Sequence, residues 1–258
     1  MTDIVFVPGL NNDALVWDRV INALPTTLRA TAVNVPAIGD VDKIAAALAV
    51  DLPDQFFLVG HSFGGVVAMA LLEYCPERIS GVALVNTPQG TDDEATATAR
   101  LDKAERALAG EFENFAMGRV DLVFHADNAE DPDVLTERLR GVRAYGPQRY
   151  SAHSAAIASR PDRTELLLAT EVPLAVIAAE SDLVVPPGEQ QALADRVGAT
   201  FAGIPHAAHM LPAEEPEALA RALTKWIDSV DTTDTHHSVD TTDTHHSVDT
   251  TDTHPGEK

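Results

Sequence analysis

Short apolar runs alternate along this chain with longer stretches of helical periodicity. Ile4-Val5-Phe6-Val7, Thr31-Ala32-Val33-Asn34-Val35, Gln55-Phe56-Phe57-Leu58-Val59, Gly81-Val82-Ala83-Leu84-Val85, Pro173–Ala178 and Ala199–Ile204 are the runs. Each is short and rich in β-branched, aromatic or small apolar residues, the pattern of a strand buried on both faces. Between them, Leu15–Leu24, Val41–Leu52 and Val66–Leu72 carry apolar residues at helical spacing. From about Thr91 to Arg160 the strand signal stops. Ala, Glu, Arg and Leu recur there at helical spacing, with breaks at Gly110, Gly118, Asp131-Pro132 and Gly146-Pro147. Strands alternating with helices predict an α/β fold, a mostly parallel sheet of about six strands flanked by helices.

The character changes at Ser229. Ser-Val-Asp-Thr-Thr-Asp-Thr-His-His occupies Ser229–His237 and recurs at Ser238–His246, and a third copy runs from Ser247 to His254. One Val per nine residues cannot build a packed solenoid. The expected organisation is a single domain over 1–228 and a disordered, acidic repeat tail over 229–258. The His-His pairs raise the thought of metal binding; an inert, solvated extension is the favoured reading.

Charge narrows the function. Against 18 Lys+Arg stand 40 Asp+Glu, a formal net charge of −22. Nucleic-acid binding wants a basic face, and an anionic membrane surface attracts basic segments, so neither partner is expected. No apolar run is long enough to span a bilayer, and the N-terminus lacks the pattern of a cleaved leader, so a soluble cytoplasmic protein is expected. Cys75 is the only cysteine, which excludes an intrachain disulfide; near the end of a helix it reads as a small buried residue.

The chemistry enters at Gly60-His61-Ser62-Phe63-Gly64, between a strand-like and a helix-like run. With nine serines and 15 glycines in the chain, roughly 0.03 such patterns arise by chance. A serine at a strand–turn–helix bend presents its Oγ above the sheet edge, and the flanking glycines give the bend room. A nucleophilic Ser62 needs an acid and a base later in the chain. Asp182 lies in the loop after the strand Pro173–Ala178, with Glu180 as a rival nearer the strand; the loop position favours Asp182. After the next strand come two histidines, His206 and His209. The backbone N–H of Phe63 is the expected first oxyanion donor.

These residues resemble the α/β-hydrolase family of serine esterases. There the basic histidine sits in a segment like Pro-x-x-Gly-His, followed by Glu five and Pro seven residues on. His209 has Pro205, Glu214 and Pro216 at those places, and Ala208 where the family has Gly. The resemblance therefore assigns the base to His209. It also implies a second oxyanion donor in the Leu10 N–H, from Pro8-Gly9-Leu10 where the family usually has His-Gly. It implies a core lacking the family's first two strands, and a helical lid at about 91–160. Phe115, Met117, Phe124, Tyr145 and Tyr150 are expected mainly to pack that lid, and His125 and His153 are given no role. The expected activity is cofactor-independent cleavage of a small carboxylic ester or lactone. Carbon–carbon bond hydrolysis and a non-catalytic receptor on the same scaffold are the alternatives.

Overall fold

The computed structural model describes the backbone of residues 1–237 and the side chains through Val230. Six strands form one sheet: β1 (Thr2–Val7), β2 (Leu28–Ala32), β3 (Phe56–His61), β4 (Ile79–Val85), β5 (Leu174–Ala179) and β6 (Thr200–Ile204). Every pairing is parallel and the order is β2-β1-β3-β4-β5-β6. The chain winds one way from β1 to β2 and the other way from β3 onward. The crevice beyond the C-terminal ends of β1 and β3 is therefore the place where such sheets bind ligands.

The two faces of β3 explain its continuous apolar run. Phe56 and Leu58 join the core under α2 (Val41–Ala49) and α3 (Phe63–Tyr74). Phe57 and Val59 join the opposite core, with Trp17, Leu223 and Trp226. Trp226 lies on α11 (Pro216–His237), and its ring meets that of Phe57 edge-on at 5.5 Å. Cys75 is buried and free, as a small packed residue.

One strand boundary differs from expectation. The second strand lies three residues earlier than Thr31–Val35, because its pairing with β1 runs from Thr2↔Leu28 to Phe6↔Ala32. Only Val33 continues the contact, donating to the Phe6 carbonyl, before Pro36 turns the chain. At the other end, α11 continues through the first copy of the repeat. Val230 packs against the core and Ser229 Oγ donates to the Trp226 carbonyl at 2.6 Å. The remaining copies lie outside the described residues.

Between β4 and β5 the chain is helical: α4 (Glu94–Arg106), α5 (Phe112–Met117), α6 (Val120–Val123) and α7 (Pro132–Ala158), with α8 (Thr164–Ala169) leading back to the sheet. The breaks seen in the sequence are used. Gly110 takes φ 106° at a kink, Gly118 ends α5, and Asp131 caps α7 by accepting from the Asp133 and Val134 N–H groups. Gly146, at φ 74°, bends α7 just ahead of Pro147. Phe112, Ala116, Val142, Tyr145 and Tyr150 form a small core for this layer. The last sheet segments carry α9 (Pro187–Val197) and α10 (Leu211–Glu214).

Candidate active site

Ser62 stands at the junction of β3 and α3 with φ 52° and ψ −118°. A non-glycine residue held in such a conformation is strained and persists only where its surroundings fix it. Here its N–H donates to the Val85 carbonyl at 2.9 Å, and its own carbonyl accepts from Gly65 at 2.9 Å. The neighbouring glycines are steric necessities. A Cβ on Gly60 would lie 2.4 Å from the Gly64 oxygen, and one on Gly64 would lie 2.0 Å from the Val7 oxygen.

The three expected side chains meet. His209 Nδ1 is 2.8 Å from Asp182 Oδ2, and His209 Nε2 is 2.9 Å from Ser62 Oγ. A carboxylate accepts, so the proton sits on Nδ1, and Nε2 is left to accept from the serine hydroxyl. Asp182 is buried in the loop after β5. Its Oδ1 accepts from Val184 N at 2.7 Å and Val185 N at 3.0 Å, which fixes the carboxylate that faces the imidazole. Glu180, the rival acid, is exposed beside Gly203. His206, the rival base, is exposed at φ 60° with its ring against His125. Neither reaches Ser62. Ala208 is buried and absent from the left-handed region, so no glycine is required before His209.

The loop after β1 lies against the serine: a Cβ on Gly9 would touch Ser62 Cβ and His61 Nδ1 at 3.0 Å each. Among the described residues, neither the Leu10 nor the Phe63 N–H donates to a protein acceptor. Two backbone donors at a loop and at a helix start, both uncommitted, are suited to a developing negative charge.

Several interactions that shape this site were not read from the sequence. Asn86, fully buried after β4 with φ 44°, donates from Nδ2 to the Ala208 and His209 carbonyls, at 3.1 Å each. Its Oδ1 accepts from Ala179 N at 2.9 Å. His61, also buried, donates from Nε2 to the His209 carbonyl at 2.7 Å. Burial, then the nearby His209, pulls its pKa down to about 3, so it stays neutral. Glu214 accepts from Ala208 N, His125 N and Asn128 Nδ2, tying the His209 loop to the inserted helices. Burial raises its pKa against these bonds.

His153, given no role by the sequence, is fully buried. Its Nε2 donates to the Pro36 carbonyl at 2.8 Å, so Nδ1 accepts from the Tyr145 hydroxyl at 2.5 Å. Burial lowers its pKa to about 4 and leaves it neutral. Its ring lies 4.8 Å from that of Phe63, and the Tyr145 oxygen faces the Asn11 N–H. One neutral pair in α7 thus packs against both the helix start and the loop that carry the uncommitted donors. Only the residue type, a histidine in a helical stretch, was visible beforehand. Tyr150 and Phe124 are likewise buried. The described residues hold no group of three or more His, Cys, Asp or Glu side chains arranged for a metal, and no helix among them is long and apolar enough to cross a membrane.

The model of the alpha/beta hydrolase family matches residues 4–222. The chain is 28% identical over 239 residues, 86% of its length and 90% of the relative's, to a 2-succinyl-6-hydroxy-2,4-cyclohexadiene-1-carboxylate synthase of an Enterobacter sp.. It is 26% identical over 88% of its length to a pimeloyl-[acyl-carrier protein] methyl ester esterase of Chromobacterium violaceum, covering 94% of that protein. Among solved structures, a thermophilic esterase from Thermogutta terrifontis superposes with a TM-score of 0.81 at 24% identity, covering 89% of this chain and 90% of that one. The enol-lactonase from Burkholderia xenovorans gives 0.78 at 21% identity, over 88% and 91%. At these identities the two structures speak for a shared fold.

Proposed function

The chain belongs to the alpha/beta hydrolase family, and on that premise we propose that it is a serine hydrolase cleaving a small carboxylic ester or lactone through an acyl-enzyme. The observation that carries this reading is the unbroken hydrogen-bonded line from Asp182 through His209 to Ser62. In the proposed reaction Ser62 Oγ attacks the acyl carbonyl carbon while His209 Nε2 takes the hydroxyl proton. Asp182 holds the tautomer and offsets the imidazolium charge. The carbonyl electron pair moves onto oxygen, where the Leu10 and Phe63 N–H groups receive it. As that pair returns, the C–O bond to the leaving alcohol breaks and His209 returns the proton to it. Water then enters and gives a proton to His209 as it attacks the acyl carbon; the bond from that carbon to Ser62 Oγ breaks, His209 returns the proton to Oγ, and the acid leaves. In a lactone the leaving alcohol stays on the acyl chain. The helices α4–α7 serve as the lid over this site, since they rise from the C-terminal edge of the sheet. The esterase and lactonase names among the similar proteins agree with this choice of substrate.

The test is direct. A fluorophosphonate probe is expected to label Ser62, and p-nitrophenyl butyrate hydrolysis to fall by about 10⁴-fold or more in Ser62→Ala. Full activity in that variant, or failure of the probe on the wild-type chain together with no cleavage across an ester and lactone panel, would overturn the assignment.

A further inference from the structure

The loop that carries the Leu10 N–H is gripped by the inserted helices. Leu10 packs against the small core that Phe112, Tyr145 and Tyr150 share. Asn11, next along, takes φ 61°. Asn enters this left-handed region more readily than most residues, but it stays there only where its peptide groups are fixed. The fixing groups come from α7. The Asn11 N–H faces the Tyr145 hydroxyl oxygen and has no backbone acceptor among the described residues. The Asn11 carbonyl accepts from Arg138 Nη1 at 3.4 Å, and a Cβ on Gly141 would come within 3.8 Å of it. The peptide joining Leu10 to Asn11 is therefore held at both ends: its N–H meets Tyr145, and its carbonyl accepts from Asn12 Nδ2 at 2.8 Å. On the other side of Leu10, Gly9 lies against Ser62 and His61 with no room for a Cβ. The direction of the Leu10 N–H is set between that glycine and the clamped peptide.

Tyr145 is itself placed by the break in α7. It directly precedes Gly146, whose φ 74° and ψ 164° interrupt the helix ahead of Pro147. His153 stands on the second arm, so the 2.5 Å bond from the Tyr145 hydroxyl to His153 Nδ1 spans the break. His153 is anchored in turn by its bond to the Pro36 carbonyl and by its ring against Phe63. The donors run one way, from the Asn11 N–H to Tyr145, from the Tyr145 O–H to His153, and from His153 Nε2 to Pro36. Tyr145 and His153 are buried, so neither can exchange its partner for bulk water, and each bond polarises the next.

We propose that Tyr145 is a positioning residue of the oxyanion hole, acting through the Asn11 N–H to aim the Leu10 N–H, so that the inserted helices take part in catalysis as well as covering the site. This rests on the hydrolase reading above and deepens it. An oxyanion donor is effective when it already points to where the charge will develop, and a donor free to swing loses that advantage. Without the phenolic oxygen the Asn11 N–H has no partner and its peptide can turn. Ser62, His209 and Asp182 keep their own bonds.

The experiment compares Tyr145→Phe with the wild type on p-nitrophenyl butyrate, with folding checked by circular dichroism. The variant is expected to lose about 10–100-fold in kcat, less than the roughly 10²–10³ lost when an oxyanion donor is removed outright, with KM within about twofold. Butyl trifluoromethyl ketone supplies a readout that a merely structural role would not move. Ser62 Oγ adds to its carbonyl carbon, the serine proton passes to His209, and the carbonyl oxygen becomes an oxyanion in the hole. Its inhibition constant is expected to rise by the factor that kcat loses, while that of butyl methyl ketone, which binds without adding, stays unchanged. Equal weakening of both ketones, or an unchanged kcat, overturns the proposal. Amide exchange followed by NMR needs no turnover. In the wild type the Asn11 N–H is expected to exchange at least about tenfold more slowly than the Leu10 N–H, and to lose that protection in Tyr145→Phe. That result supports the hold of Tyr145 on the loop even if the hydrolase reading fails. Asn11 exchange as fast as that of Leu10 in the wild type overturns the proposal even if the chain cleaves esters.

Discussion

Asn86 carries three of the hydrogen bonds that hold the His209 loop against the sheet. Replacing it with Ala leaves the Ala208 carbonyl and the Ala179 N–H buried without partners, while the His209 carbonyl keeps only its His61 bond, and each orphan costs about 1–3 kcal/mol. Asn86→Ala is therefore expected to lower stability by about 3 kcal/mol or more and to reduce kcat with little change in KM, because the imidazole loses its register while the acyl pocket stays. Thermal melting and steady-state esterase kinetics check both; an unchanged kcat in a folded variant would show that the loop holds itself. This residue also marks the limit of reading at this scale. Ser62 could be found because its pentapeptide encodes a local bend, whose glycines are demanded by backbone atoms within a few residues or on the adjoining strand. Choosing His209 over His206 took the flanking Pro205, Glu214 and Pro216, since both follow the same strand. Asn86, His61, Arg138 and His153 act across separations of more than 70 residues, reaching partners that no local pattern announces. Their types are common in loops and helices, so only the folded chain distinguishes them.

Among the elements, the inserted helices are joined to the sheet at a point that can be cut. Asp92 lies just before α4. It accepts from Arg100 Nε at 2.7 Å and from Arg160 Nη1 at 2.9 Å, and Arg160 follows α7, so one carboxylate joins both ends of the insertion. Arg160 also donates to the Gly90 and Ile157 carbonyls. Burial pushes the Asp92 carboxyl up, but the two arginines outweigh it and hold it below the usual carboxylate range. A folded-state value below the unfolded one stabilises the protein above the unfolded pKa of about 3.9, and that stability drains away as pH falls through the folded value. Asp92→Asn is expected to cost about 2–3 kcal/mol at pH 7, since it strips the partner from a buried arginine. The same change should flatten the loss of stability below about pH 4. Denaturant melts at pH 7, 5 and 3 test this; equal differences between wild type and variant at all three pH values would exclude a titrating Asp92. The insertion itself was legible because Gly110, Gly118, Asp131-Pro132 and Gly146-Pro147 interrupt a helical pattern for reasons of backbone geometry. Edge elements were less legible. β2 alternates half-buried and exposed residues, and its register follows from β1 rather than from its own composition. That a helix runs past residue 228 was not read, because repeat identity in the sequence says nothing about where Val230 packs.

For the whole molecule, the question is what an excess of negative charge does to the fold. Forty acidic residues face 18 Lys and Arg, so most carboxylates have no cation to meet. Two effects oppose each other as salt is added. Contact pairs such as Arg160 with Asp92 and Arg140 with Asp13 are close and partly desolvated, so ions screen them little. Repulsion among the unpaired carboxylates acts over longer distances through solvent, where a Debye length of about 8 Å at physiological salt already removes most of it. Repulsion should therefore fade before the pairs do, and added salt should stabilise the fold. The tail holds seven of the acidic residues, too few to carry the effect, and a chain ending at His237 should keep it. The expected result is a rise in Tm of about 3–6 °C between 20 and 500 mM sodium chloride, largely complete by 300 mM. Sucrose, which stabilises without screening, should show no such saturation. A Tm that falls steadily over the same range would mean that the surface pairs outweigh the surplus carboxylates, and that the acidity carries no cost to this fold.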